Sequence, residues 1–238
     1  MANLQVIDPN QHKDLRVTAS YDETLGHGMG AITISPSEIL EVQREYPILF
    51  RKHPETGHLL IVALLGFDQQ ENLFLANDSS WNARYIPLAM SRGPFLVGVG
   101  GNGDEQRLMI CINRDDPRVS EDKGEMLFGN DGKPSAFLEG IRQNLLRLHQ
   151  GIHEAKSMVD AFLALNLIEP VKMDIQLRNN KHVNFGGAYT INTDILAQLT
   201  AEQVKQLNDQ GYLALAYFIA GSLNNISALI DLKNNKGF

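Results

Sequence analysis

The sequence has a single cysteine, so no intrachain disulfide can form. That residue, Cys111, is flanked by Leu108, Met109, Ile110 and Ile112. The context reads as a buried strand and makes the thiol a small core group rather than a nucleophile. Basic charge is also scarce. The 21 Lys and Arg stand against 28 Asp and Glu, for a formal net charge of −7, and no basic run extends beyond the pair Arg51-Lys52. A nucleic-acid partner needs a basic stripe that displaces counterions from phosphates, so that class is excluded. Long apolar runs are missing as well. The most apolar stretch, residues 212–220, is cut by Gly221-Ser222 and Asn224-Asn225, well short of the roughly 20 residues that cross a bilayer. No transmembrane segment is expected. Residues 1–9 carry neither a basic nor an apolar leader region, so no secretion signal is expected and the chain is assigned to the cytoplasm.

Catalytic signatures are equally thin. There is no Gly-Lys-Ser/Thr phosphate loop and no Gly-x-Ser-x-Gly elbow. Gly98-Val99-Gly100-Gly101-Asn102-Gly103 matches the dinucleotide pattern formally, but an apolar strand follows it where a helix N-terminus must face the pyrophosphate. A glycine-rich hairpin turn is expected instead. The carboxylate pairs Asp115/Asp116 and Glu121/Asp122 lie in polar context, where nothing raises a pKa for acid catalysis. His149 and His153 are spaced to share one helix face, as a metal pair requires. Gly151 lies between them as an expected break and no third ligand is identifiable, so they are weak candidates only. No metal and no cofactor is assigned.

What is present supports a globular domain. Hydrophobic residues make up 43% and charged residues 21% of the 238, a composition that forms a core. Residues 1–30 read as an extended arm. Ser35-Pro36-Ser37-Glu38 is a helix start with a capping box, opening a helix of about ten residues. Strands are expected over 46–52, 58–67, 72–76, 83–90, 94–99 and 106–113, joined as an antiparallel meander because the turns are too short for crossovers. The run 59–65 is apolar on both faces and belongs inside a sheet. Residues 113–133 form an acidic, turn-rich loop. Two helices follow over 135–150 and 152–170, then a hairpin over 174–185 with a strand at 188–192. Next come a helix capped by Thr200 and Gln203, a buried strand at 213–219, and a last helix through Ile226, Leu229 and Ile230. The fold class is α+β, an antiparallel strand-rich N-terminal half packed with a helix-rich C-terminal half. One domain spans 1–238, with two lobes at 1–133 and 134–238.

The densest feature is residues 81–95. Trp81-Asn82-Ala83-Arg84-Tyr85-Ile86-Pro87 holds the only tryptophan, and Arg92-Gly93-Pro94-Phe95 follows it. Ordering so many rings costs conformational entropy, so the segment serves a fixed structural or binding purpose. Through it the chain resembles the bacterial SapC family, whose segment reads W-[DN]-A-x-Y-I-P, then two arginines, an aromatic and Pro-Phe. Glu45-Tyr46-Pro47-Ile48-Leu49-Phe50, Leu64-Leu65-Gly66, Leu127-Phe128-Gly129-Asn130-Asp131-Gly132 and Ser222-Leu223-Asn224 add matches in the expected order. Ser91 and Gly93 depart from the family's first arginine and its aromatic. The resemblance implies a non-catalytic accessory or binding protein, assisting a modification or uptake pathway beside a flavin-dependent halogenase-like enzyme. In that reading Trp81 and Tyr85 are flat contact surfaces, and Arg84 and Arg92 are partners for a small carboxylate ligand. Two alternatives stand beside it: an enzyme whose site assembles from distant polar residues, and a component of a surface-layer or export apparatus.

Overall fold

The computed structural model describes residues 3–100, 107–178 and 182–236. The fold is α+β, with antiparallel sheets dominating the N-terminal half and helices the C-terminal half. The chain divides into two compact units, each made of two separate segments.

The first unit comprises Met1–Ser20 and Leu88–Gln150. Its larger sheet has the order Leu4–Val6, Arg107–Asn113, Phe95–Gly100. Alternation sends Phe95 and its partner Ile112 inward, where they meet Leu127 and the helix residues Leu138, Ile141 and Leu145. That helix is opened by Ser135, whose Oγ accepts the Leu138 N–H and donates to the Met126 carbonyl. A smaller sheet pairs Arg16–Val17 with both Val119–Ser120 and Glu125–Met126. Within the stretch 1–30 expected as an extended arm, Leu4–Val6 and Arg16–Val17 are therefore paired strands, and the acidic stretch 113–133, expected as a loop, carries both partners of Arg16–Val17.

The second unit comprises Tyr21–Pro87 and Gly151–Phe238. Its five-stranded sheet runs Ile168–Gln176, His182–Ile191, Ile48–Lys52, Leu59–Leu64, Ala31–Thr33. The apolar Leu59–Leu64 strand is paired on both edges, as its two-sided hydrophobicity demands. The hairpin expected over 174–185 extends along both full strands, with a bulge between Val171 and Met173. Its turn, residues 179–181, lies outside the described residues. Phe162 meets Phe50 edge-on, 6.4 Å between ring centroids. The Ser35–Glu38 capping box forms, but its helix is short: a 3₁₀ turn over Pro36–Glu38 and then Ile39–Val42.

Several expected elements differ. Residues 213–219 are not a strand: they lie inside the helix Tyr212–Ser222, which runs on through a 3₁₀ turn into Ile226–Lys236. A short run that is apolar on every side carries no period to tell strand from helix. Tyr212–Lys236 is, by length and composition, long and apolar enough to cross a membrane, and 22% of its most apolar window is buried. It is bonded into its own unit, because Ser222 Oγ accepts the Ile48 N–H at 2.8 Å. The two helices expected around Gly151 are one, Ala136–Ala164. There a Cβ on Gly151 would come within 2.3 Å of Ser35 Oγ, so the glycine serves close approach, not a break. No strand forms over 72–76 or 83–90. Leu75 makes an isolated bridge to Trp81, and Leu88–Ser91 is a helical turn. The meander is consequently interrupted, and the strands before and after this segment belong to different sheets. The glycine pattern at 98–103 is flanked by antiparallel strands, Phe95–Gly100 and Arg107–Asn113, with residues 101–106 outside the described residues.

Candidate functional site

Residues 81–85 owe their shape to two neighbours in sequence, Glu45 and Tyr46. Both sit in the turn after Ile39–Val42, their backbone N–H groups bonded to the Val42 carbonyl. The Glu45 carboxylate accepts the Arg84 N–H at 3.0 Å and the Tyr85 N–H at 3.0 Å. A carboxylate holding two backbone donors takes the place of a strand partner for this stretch. The fully buried Tyr46 supplies the second clamp. Its hydroxyl accepts the Trp81 Nε1–H at 2.7 Å and donates to the Tyr85 carbonyl at 2.5 Å. Burial raises the Tyr46 pKa, and the nearby Glu45 and Tyr85 add to the rise against the Trp81 hydrogen bond, so it stays a neutral phenol.

The rings are packed rather than displayed. Trp81 is only 9% exposed. It stacks on Phe74 at 6.0 Å and 9°, with Tyr21 against it edge-on at 5.6 Å. Tyr85 is half-buried and its hydroxyl donates to Glu38 Oε1 at 3.1 Å. Arg84 is different: its side chain is exposed, and its guanidinium has no ion-pair partner among the described residues. Of the four residues singled out in sequence, Trp81, Arg84 and Tyr85 thus share one local arrangement. Arg92 belongs to the other unit. It is half-buried, and its Nη1 donates to the Phe95 carbonyl at 2.9 Å. Burial, then the like charge of Arg118, lowers its pKa. Arg118 itself is forked onto Asp116 at 2.9 and 2.7 Å. Gly93 sits at φ +60°, a conformation that favours glycine over the aromatic expected there.

A cleft of about 370 Å³ opens beside this loop. One side comes from the loop and the clamp turn (Arg44, Glu45, Phe74, Asn82), the other from Asn225 and helix Ile226–Lys236. Both sides are fastened. Asn225 Nδ2 donates to the Gln43 and Tyr46 carbonyls at 2.9 and 3.2 Å. Lys233 bonds to Glu71 and to Asp68, and Lys236 donates to the Asn72 and Leu75 carbonyls. Burial pulls the Lys233 pKa down, but its two carboxylates outweigh this and hold it raised, whereas burial keeps Lys236 low.

A family model described as SapC matches residues 7–229. The chain belongs to the SapC family. Searches of the curated proteins and of the solved structures return no match. In this SapC chain the residues that shape the hallmark segment, Glu45 and Tyr46, come from another stretch that carried the resemblance. Sequence reading used them only as a match, because nothing local marks a glutamate that clamps a loop 39 residues away. His149 and His153 lie on the one helix, the first half-buried and the second exposed. Among the described residues no three His, Cys, Asp or Glu side chains gather as a metal site. Cys111 is half-buried, and its Sγ lies 2.8 Å from where a Cβ on Gly98 would stand. It packs into that glycine notch.

Proposed function

We propose that this SapC-family protein is a cytoplasmic accessory or binding protein without catalysis of its own. Its partner is a small carboxylate ligand or a protein such as a flavin-dependent halogenase-like enzyme in a modification or uptake pathway. One observation carries this reading. The 81–85 loop is fixed by Glu45 and Tyr46, while the exposed Arg84 guanidinium has no ion-pair partner among the described residues. A loop whose backbone is already ordered and that presents an exposed guanidinium suits carboxylate recognition, since little backbone freedom remains to be lost. Arg84 in one unit and Arg92 in the other are the groups offered to carboxylates, and Trp81 and Tyr85 set the segment's form.

The test is co-purification from native extract, with mass spectrometry of bound proteins and small molecules, comparing the wild type with Arg84→Ala and Arg92→Ala. Arg84→Ala should release the partner at an unchanged melting temperature, because exposed substitutions stay within about 0.5 kcal/mol. Undiminished capture by both variants would overturn the reading. A second reading, a component of a surface-layer or export apparatus, draws on the apolar length of Tyr212–Lys236. Recovery of the protein in the membrane fraction after a salt and carbonate wash would favour it.

A further inference from the structure

The cleft beside Asn82 has a chemistry of its own. Its charged lining is one arginine, Arg44, against two carboxylates, Glu45 and Asp231. Each already has a protein partner: Arg44 with Glu41 at 2.8 Å, Asp231 with Arg178 at 3.4 Å, and Glu45 with the Arg84 and Tyr85 backbone. An anionic ligand would meet more negative than positive charge there, with no unspent cation to receive it. The amides are in the opposite condition. Asn82 on the loop and Asn235 on the helix are exposed, and among the described residues their side chains have no hydrogen-bond partner. A primary amide presents one carbonyl acceptor and two N–H donors. Two of them, one from each side of a cleft, match a group that both donates and accepts. Phe74, Ala228, Leu229 and Leu232 add an apolar portion to the same lining.

We propose that this cleft binds the secondary amide of a neutral, peptide-like small molecule carrying an apolar side group. Asn82 and Asn235 pair with its N–H and C=O, and the side group rests on Ala228 and Leu232. The volume of about 370 Å³ is at the lower end for ligand sites, which suits a ligand the size of a blocked amino acid. Fixed walls favour binding, because the lysine and asparagine bonds that hold the helix have already ordered it. This inference rests on the reading of the chain as a binding protein but names a second ligand chemistry, distinct from the carboxylates offered to Arg84.

The experiment is isothermal titration calorimetry of the full chain with N-acetyl-leucine methylamide, and in parallel with N-acetyl-leucine, which ends in a free carboxylate. The methylamide should bind saturably and more tightly than the acid. Asn82→Leu and Asn235→Leu should each weaken it by up to about tenfold, as expected when the bound amide loses one hydrogen bond, without lowering the melting temperature. Asn82→Asp, equal in size but negative, should weaken it as well. The proposal is overturned if the methylamide does not saturate, if both leucine variants bind it as the wild type does, or if the acid binds as tightly. Should the acid bind and be lost in Arg84→Ala, the amide assignment falls while the binding-protein reading stands. Should neither probe bind and no partner co-purify, both fall.

Discussion

Replacing Tyr46 by phenylalanine tests whether the 81–85 loop is held as described. The substitution keeps the ring, which lies 4.5 Å from the Phe74 centroid, and removes only the hydroxyl. Two interactions go with it. The Trp81 Nε1–H loses its acceptor inside a site that is 9% exposed, which costs about 1–3 kcal/mol for an unsatisfied buried donor. The Tyr85 carbonyl loses its donor, about 1 kcal/mol more. The sum is about 2–4 kcal/mol, or about 4–16 °C in melting temperature for a chain of this size. Trp81 is the only tryptophan, so its fluorescence follows the unit that contains it during urea unfolding. Tyr46→Phe should shift the midpoint down without changing the slope. Tyr217→Phe, at a residue that is 55% exposed, should stay within about 0.5 kcal/mol. A Tyr46→Phe loss no larger than that of Tyr217→Phe, with an unchanged emission maximum, would refute the clamp.

Other measurements probe other parts. Gly151→Ala gains helix propensity of up to about 1 kcal/mol, but its methyl would stand 2.3 Å from Ser35 Oγ and 2.7 Å from Ser35 Cβ. Overpacking of about 1–3 kcal/mol should win, and a stabilised variant in urea unfolding would contradict the close approach. Spectrophotometric titration should find Tyr46 resisting ionisation. Its folded pKa is raised by burial, so the stability it confers is complete below the ordinary phenol range and falls as pH climbs through its folded value. Titration of all six tyrosines of the folded chain about a single midpoint near pH 10 would count against this. Lys233→Met should cost about 1 kcal/mol at pH 7, given side chains only 21% and 19% exposed in its pair with Glu71. Lys233 keeps a raised folded pKa, so its contribution is complete below the ordinary lysine value and is lost as pH rises through the folded one. The cost of the variant should therefore shrink in strong alkali; an equal cost at both ends would point to packing alone.

Legibility from sequence followed the reach of each signal. The capping boxes at Ser35 and Thr200 act over three residues, and both are present. The Leu59–Leu64 strand carries its two-sided burial in its own composition. Residues 213–219 failed because an all-apolar run has no period. Residues 83–90 form no strand because the Arg84 and Tyr85 N–H groups are met by a glutamate side chain from a distant turn and Leu88–Ser91 is helical. At the candidate site, ring density draws notice to Trp81, which is buried, and to Tyr85, which is half-buried, each with a hydrogen-bond partner inside the fold. The residues that give the cleft its character, Asn82, Asn225 and Asn235, are separated by up to 153 positions (235 minus 82) and are individually ordinary.

The interleaving of the two units has a consequence for how the protein is made. The ribosome delivers the chain from its N-terminus, and domains generally fold as units during synthesis. Every residue of the unit Met1–Ser20 plus Leu88–Gln150 has been translated once Gln150 is in place. By then Tyr21–Pro87 has also been translated, yet its strand Ile48–Lys52 still lacks the neighbour His182–Ile191, and the Ile48 N–H still lacks Ser222. The sheet must wait with an open edge for about forty residues that have not yet been joined to the chain (191 minus 150), and the Ile48 N–H waits longer still. An open, apolar strand edge is a template for wrong pairing. A stop codon between Gln150 and His182 therefore leaves one unit translated in full and the other with that edge open, so such truncated products should aggregate rather than accumulate as soluble fragments.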